Sequence, residues 1–135
     1  MVYFSHNLGG IYKFNASDPN TTLSLLFRPN VYQPIDFDID PILNQTFFLE
    51  RGVQAVKRAN LFFAGQNVPT VAFTPESRAY AIGVDYRSQH VYLVMNTWGD
   101  TCTNATLMRY DYDGSNPTPI VIPDAFTCVV MVPSS

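Results

Sequence analysis

Ile82-Gly-Val-Asp85, Val91-Tyr-Leu-Val-Met95, Leu107-Met-Arg-Tyr-Asp-Tyr112 and Pro119-Ile-Val-Ile-Pro123 are four short apolar runs in one stretch of chain. Each is the length of a strand and too short for a stable helix. The first is apolar throughout, as for a strand buried on both faces. The polar turn Arg87-Ser-Gln89 separates it from the second, which is again nearly all apolar. The third alternates apolar and polar, as in a half-buried strand. Asp113-Gly114 then predicts a tight hairpin, because Gly tolerates positive φ. Prolines bracket the fourth run and predict an edge strand, where a missing N–H costs least.

The same order of parts occurs upstream. One unit reads Pro34-Ile-Asp-Phe-Asp38, Phe47-Phe-Leu-Glu50, Val56-Lys-Arg-Ala-Asn60 and Gly65-Gln-Asn-Val-Pro-Thr-Val-Ala-Phe73. A shorter one reads Tyr3-Phe-Ser-His6, Gly10-Ile-Tyr-Lys-Phe-Asn15 and Asp18-Pro-Asn-Thr-Thr-Leu-Ser-Leu-Leu-Phe27. Asp38 to Asp85 is 47 residues, Phe48 to Tyr92 is 44, Ile11 to Val56 is 45 and Arg58 to Arg109 is 51. The excess in the last unit falls in Asn96-Thr-Trp-Gly-Asp-Thr-Cys-Thr-Asn-Ala105, read as a loop insertion. A period in the mid-forties with four strands per unit predicts the blades of a β-propeller. The expected architecture is all-β, with about three four-stranded antiparallel blades of an incomplete ring. Approximate blades are 1–30, 31–78 and 79–123, with the start of another at 124–135. Helical solenoids share the period but need longer runs of helical spacing, which the chain lacks.

Composition agrees with strands. The 135 residues are 47% hydrophobic, 14% aromatic and only 14% charged, with ten prolines and seven glycines as punctuation. Eight Lys and Arg are scattered and the net charge is −3, so no nucleic-acid footprint is present. No apolar run reaches the length of a membrane-spanning helix. The first residues lack the basic start and apolar core of a signal peptide.

These units resemble the low-density-lipoprotein-receptor class B, or YWTD, propeller repeat. Ile35-Asp-Phe-Asp38 and Ile82-Gly-Val-Asp85 match its first strand, which ends in Asp. Val56-Lys-Arg-Ala-Asn-Leu61 matches its Ile-x-Arg-Ala strand, and Asp111-Tyr-Asp-Gly-Ser-Asn116 its Leu-Asp-Gly-Ser turn. The signature strand departs from the pattern: Tyr3-Phe-Ser-His6, Phe47-Phe-Leu-Glu50 and Tyr92-Leu-Val-Met95 carry neither its Trp nor its final Asp. The chain therefore reads as a diverged relative or as another six-bladed propeller. The resemblance implies an extracellular module that binds protein or supports neighbouring domains of a parent protein. Three blades do not close a six-bladed ring, so the chain is either an excerpt of a larger protein, with no function of its own as one alternative, or pairs with another copy as a homodimer.

Secretory signals accompany this reading. Asn15, Asn20, Asn44 and Asn104 each open an Asn-X-Ser/Thr acceptor, where about 1.4 would be met by chance. Cys102 and Cys128 are the only cysteines. In propeller topology they fall on the same face of adjacent blades, which predicts a disulfide; two buried free thiols are the alternative.

Few residues point to reaction chemistry. Asp36, Asp38 and Asp40 alternate along one strand, about 7 Å apart. Such a row can hold Ca²⁺, or Asp38 and its repeat partner Asp85 can serve as structural acceptors for backbone amides, with Asp36 and Asp40 near solvent; the second reading is favoured. Asp111-Tyr-Asp113-Gly114 lacks the further ligands of a calcium loop and reads as a turn. His6 and His90 lie in different units with no metal-ligand spacing. No catalytic, metal or cofactor residue is expected. A propeller enzyme with a metal in its central channel is the alternative, and it requires acids from several blades to meet on the axis. If this chain contacts a ligand, the inserted loop with Asn96, Trp98 and Asp100 is the first candidate.

Overall fold

Alternating and fully apolar short runs, separated by turn residues, leave the chain no option but strands, and the computed structural model contains eleven among the described residues. It describes residues 2–5, 11–18, 24–25, 34–61, 69–96 and 105–120. The strands are β1 (Val2–Ser5), β2 (Ile11–Phe14), β3 (Ser24–Leu25), β4 (Pro34–Asp40), β5 (Gln45–Glu50) and β6 (Val56–Asn60). β7 (Thr70–Phe73), β8 (Ala79–Asp85), β9 (His90–Asn96), β10 (Ala105–Asp111) and β11 (Thr118–Ile120) follow. They form three antiparallel meanders: β1-β2-β3, β4-β5-β6-β7 and β8-β9-β10-β11. β1 packs against β4 as β5 packs against β8. The first meander therefore supplies the second, third and fourth strands of a blade, and the other two meanders are complete four-stranded blades.

The two complete blades repeat in detail. Each inner strand begins with a register shift, at Pro34/Asp36 in β4 and at Ala79/Ala81 in β8. Each ends in an Asp that pairs with the first residue of the next strand, Asp40 with Gln45 and Asp85 with His90. The last turn residue before that strand is left-handed in both, Asn44 at φ 52° and Gln89 at φ 56°. The structural repeat thus matches Asp85 to Asp40 and Tyr92 to Phe47. The sequence spacings, which paired Asp85 with Asp38 and Tyr92 with Phe48, are displaced by two residues and by one.

Side chains alternate across each blade and fill both gaps beside the middle one. Phe47, Leu49, Val56 and Phe73 pack on Ile82, Val84, Val91, Leu93, Met95, Tyr110 and Tyr112 of the following blade. Phe48 and Ala59, from the opposite face, pack with Leu61 on Ile11, and Tyr3, Phe37 and Ile39 close that cluster. Phe47 and Phe48 are both fully buried although adjacent in sequence. A strand sandwiched between blades has two dry faces, which is why the consecutive residues Phe47, Phe48 and Leu49 of β5 are all apolar and buried. Each such ring contributes about 1.5–3 kcal/mol relative to an exposed one.

Candidate functional site at the joint between two blades

β8 is the edge strand of its sheet, so half of its amides point away from β9 and need acceptors elsewhere. β4 supplies them. Its alternation sends Phe37 and Ile39 toward the first blade and Asp36, Asp38 and Asp40 toward the third. Asp36 Oδ2 accepts the Ile82 amide at 2.8 Å, and Asp38 Oδ2 accepts the Val84 amide at 2.7 Å. Asp38 uses its other oxygen on its own strand, accepting from the Ile39 amide at 2.8 Å.

Asp40 ends the row and is completely buried. Its Oδ2 accepts from the Tyr112 hydroxyl of the third blade at 2.6 Å. Its Oδ1 accepts the Ile42 and Leu43 amides, each at 2.9 Å, and so holds the β4–β5 turn. Asp85 performs the weaker form of this last task, with the Ser88 amide 3.4 Å from its Oδ1. The row expected to flank Asp38 near solvent is therefore an inter-blade joint. All three acids cross to the next blade.

Burial raises the carboxyls of Asp36 and Asp38 above their ordinary range, against the opposing pull of the amides that bind them. The charge of Asp38 raises Asp36 further. The Tyr112 hydroxyl is pushed up by burial and by its bond to Asp40. It stays a donor.

Aromatic packing extends the joint outward. The Phe47 and Tyr112 rings lie 4.5 Å apart between centroids, and Phe73 and Tyr110 4.9 Å. The Tyr110 hydroxyl donates to Glu76 Oε2 at 2.5 Å. Arg58 donates to Gln45 and sits over the Phe47 ring at 5.2 Å. At the rim, Gly114 adopts φ 84° in the β10–β11 turn, where a Cβ would lie 2.4 Å from Phe73 Cβ. Glycine is required there for its backbone and for the space it leaves.

The residues singled out in the sequence fall in several places. Asp38 joins two blades and Asp85 caps a turn. Asp111-Tyr-Asp113-Gly114 forms the hairpin turn, with the Gly114 amide on the Asp111 carbonyl at 2.9 Å and the Ser115 amide on Asp113 Oδ1 at 3.0 Å. His90 opens β9, with Nε2 3.4 Å from Asp111 Oδ1. Asn15 lies in the turn after β2, and Asn44 ends the β4–β5 turn. Asn96 closes β9 and pairs with Ala105. Trp98, Asp100, Asn20, Asn104, Cys102, Cys128 and His6 lie outside the described residues, and with them the expected disulfide and the tip of the expected ligand loop. Among the described residues, no three His, Cys, Asp or Glu side chains come together as a metal site. No described helix is long and apolar enough to cross a membrane. Sequence reasoning missed Tyr110, Tyr112 and the contact of Gly114 with Phe73. Their partners sit in the neighbouring blade, and no local pattern marks them.

No family model matches the chain, and no curated protein matches it. Among solved structures it is similar to a chain of the crystal structure of a nidogen/laminin complex, with a TM-score of 0.67 and 12% identity. The match covers 87% of this chain and 42% of that one, so the present chain spans less than half the length of its structural neighbour. That neighbour is a β-propeller protein, and the fold described above is of the same class. The chain is an all-β assembly of propeller blades, two of them complete among the described residues.

Proposed function

We propose that this chain is an extracellular propeller segment that binds protein, or braces neighbouring domains of a parent protein, without catalysing a reaction. The observation that carries the proposal is the likeness to a propeller chain solved in a nidogen/laminin complex. A stiff surface supports it. Asp40 fixes the β4–β5 turn, and that turn presents Ile42 at 68% exposure beside Leu43 at 38%. Large apolar side chains on a rigid turn bind a partner at little ordering cost. The non-catalytic part rests on the acids: Asp36, Asp38 and Asp40 are occupied by amide and hydroxyl donors of the joint. A metal-centred propeller hydrolase needs such carboxylates on the channel axis. The four acceptor sequences and the two cysteines support the secretory compartment.

Binding of the purified chain to a panel of extracellular-matrix proteins, laminin among them, tests the proposal by surface plasmon resonance. Saturable binding that Ile42→Asp with Leu43→Asp weakens at least tenfold is expected. A chain that binds none of the panel overturns the proposal.

A further inference from the structure

We infer that Asn15 is an acceptor of N-linked oligosaccharide and that Asn44, which carries the same acceptor pattern, is not. The inference rests on the extracellular reading above and deepens it. Both residues open an Asn-X-Ser/Thr sequence, at Asn15-Ala-Ser17 and Asn44-Gln-Thr46. The fold treats the two differently.

Asn15 begins a turn closed by the Asp18 amide on its carbonyl at 3.2 Å, and Ala16, Ser17 and Asp18 are all exposed. The Ser17 amide and hydroxyl both donate to Asn15 Oδ1 at 3.1 Å. Donation onto the carboxamide oxygen draws electron density from nitrogen and makes the Nδ2 proton easier to remove. The co-reactant is a lipid-diphosphate-linked oligosaccharide. In the transfer, Nδ2 gives one proton to a base of the transferase and its electron pair bonds to the anomeric carbon. The bond from that carbon to the diphosphate oxygen breaks, and the lipid diphosphate leaves with its electrons. The Asn15 turn holds this assisting hydroxyl against the carboxamide, with Ala16, Ser17 and Asp18 exposed beside it.

At Asn44 the assisting hydroxyl is withheld. Asn44 sits at φ 52°, and its carbonyl accepts the Leu61 amide at 2.8 Å. Thr46 is completely buried in β5, between β4 and β6, and its hydroxyl donates to the Asp38 carbonyl at 3.0 Å. Freeing that hydroxyl means peeling β5 from β4, the strand that joins two blades. The acceptor pattern at Asn44 is consumed by the fold. Its neighbours Ile42 and Leu43 are consequently left bare of glycan.

The test is expression of the full chain behind a cleavable secretion signal, with glycopeptide mapping of the secreted protein. Asn15 is expected to be occupied and Asn44 empty. Asn15→Gln and Ser17→Ala should each abolish the glycan on the Asn15 peptide, while Asn44→Gln leaves the map unchanged. Occupied Asn44, or empty Asn15 in secreted protein, overturns the inference. The added signal supplies entry to the pathway. If the parent protein proves intracellular by fractionation, the extracellular reading fails and the choice of acceptor still stands or falls on the map.

Discussion

Asp38 of one blade accepts the backbone amide of Val84 in the next at 2.7 Å, across 46 residues of chain. Asp36 does the same for Ile82 at the same separation. Propeller blades present their inner edges side by side without pairing as a sheet, and those edges carry unpaired amides. Carboxylates spaced two apart on a strand match amides spaced two apart on its neighbour. The pair thus locks two blades in register where ladder hydrogen bonds are not formed.

Asp38→Ala should cost about 1–3 kcal/mol, the penalty for leaving a buried amide without an acceptor. Asp38→Asn keeps an acceptor oxygen and should recover part of that loss. Urea denaturation of the three proteins checks the order. The double variant Asp36→Ala with Asp38→Ala should show coupling, since both bonds depend on one blade-to-blade register.

Tyr112→Phe removes the hydroxyl on Asp40 and keeps the ring against Phe47. A hydrogen bond to a charged group contributes about 1.5–3 kcal/mol, and a loss in that range is expected by thermal and chemical denaturation. Tyr112→Ala should lose more, since the ring goes too.

Gly114 and Gly52 form a controlled comparison. Both have positive φ, at 84° and 75°, but a Cβ at Gly52 meets nothing within 4 Å. Gly52→Ala should therefore cost about 1–2 kcal/mol, the left-handed backbone penalty alone. Gly114→Ala adds the overlap with Phe73, about 1–3 kcal/mol more. Equal losses at the two positions in parallel melts would refute the close approach.

The half-buried acids Asp36 and Asp38 make a pH signature of unusual sign. Asp36 and Asp38 hold their protons above the ordinary value of 3.8 in the folded chain. Folding then binds protons, so their contribution is complete below about that value and is lost as pH rises through the folded pKa values. Asp36→Asn with Asp38→Asn should remove this term. Stability of the wild type minus that of the double variant is expected to fall as pH rises from 4. A difference that grows with pH would contradict the burial of the pair.

The strand pattern and the blade period were legible because apolar alternation and turn chemistry are local signals. Asp113-Gly114 reads as a hairpin from two letters, and it is one. The sequence reads Asp38 as an amide acceptor through a repeat pairing with Asp85 that the fold gives to Asp40. Its bond to the Val84 amide comes instead from its place on the face of β4 that meets β8. The destinations of Asp36 and Asp40 were not legible. Their partners are a backbone amide and a tyrosine hydroxyl in another blade, and an amide has no residue identity to read. The repeat alignment slipped for a related reason. Asp38 and Asp40 lie on the same face two residues apart, so period-two alternation cannot separate them, whereas turn geometry at Asn44 and Gln89 can.

Amide hydrogen exchange of Ile82 and Val84, followed residue by residue by NMR, tests the inter-blade joint most directly. Edge-strand amides facing away from their own sheet exchange rapidly when nothing accepts them. The joint predicts slow exchange at Ile82 and Val84 in the wild type, and a rise of at least tenfold in the variant with Asp36→Ala and Asp38→Ala. Rapid exchange at both amides in the wild type would mean that the carboxylates do not hold the blades together.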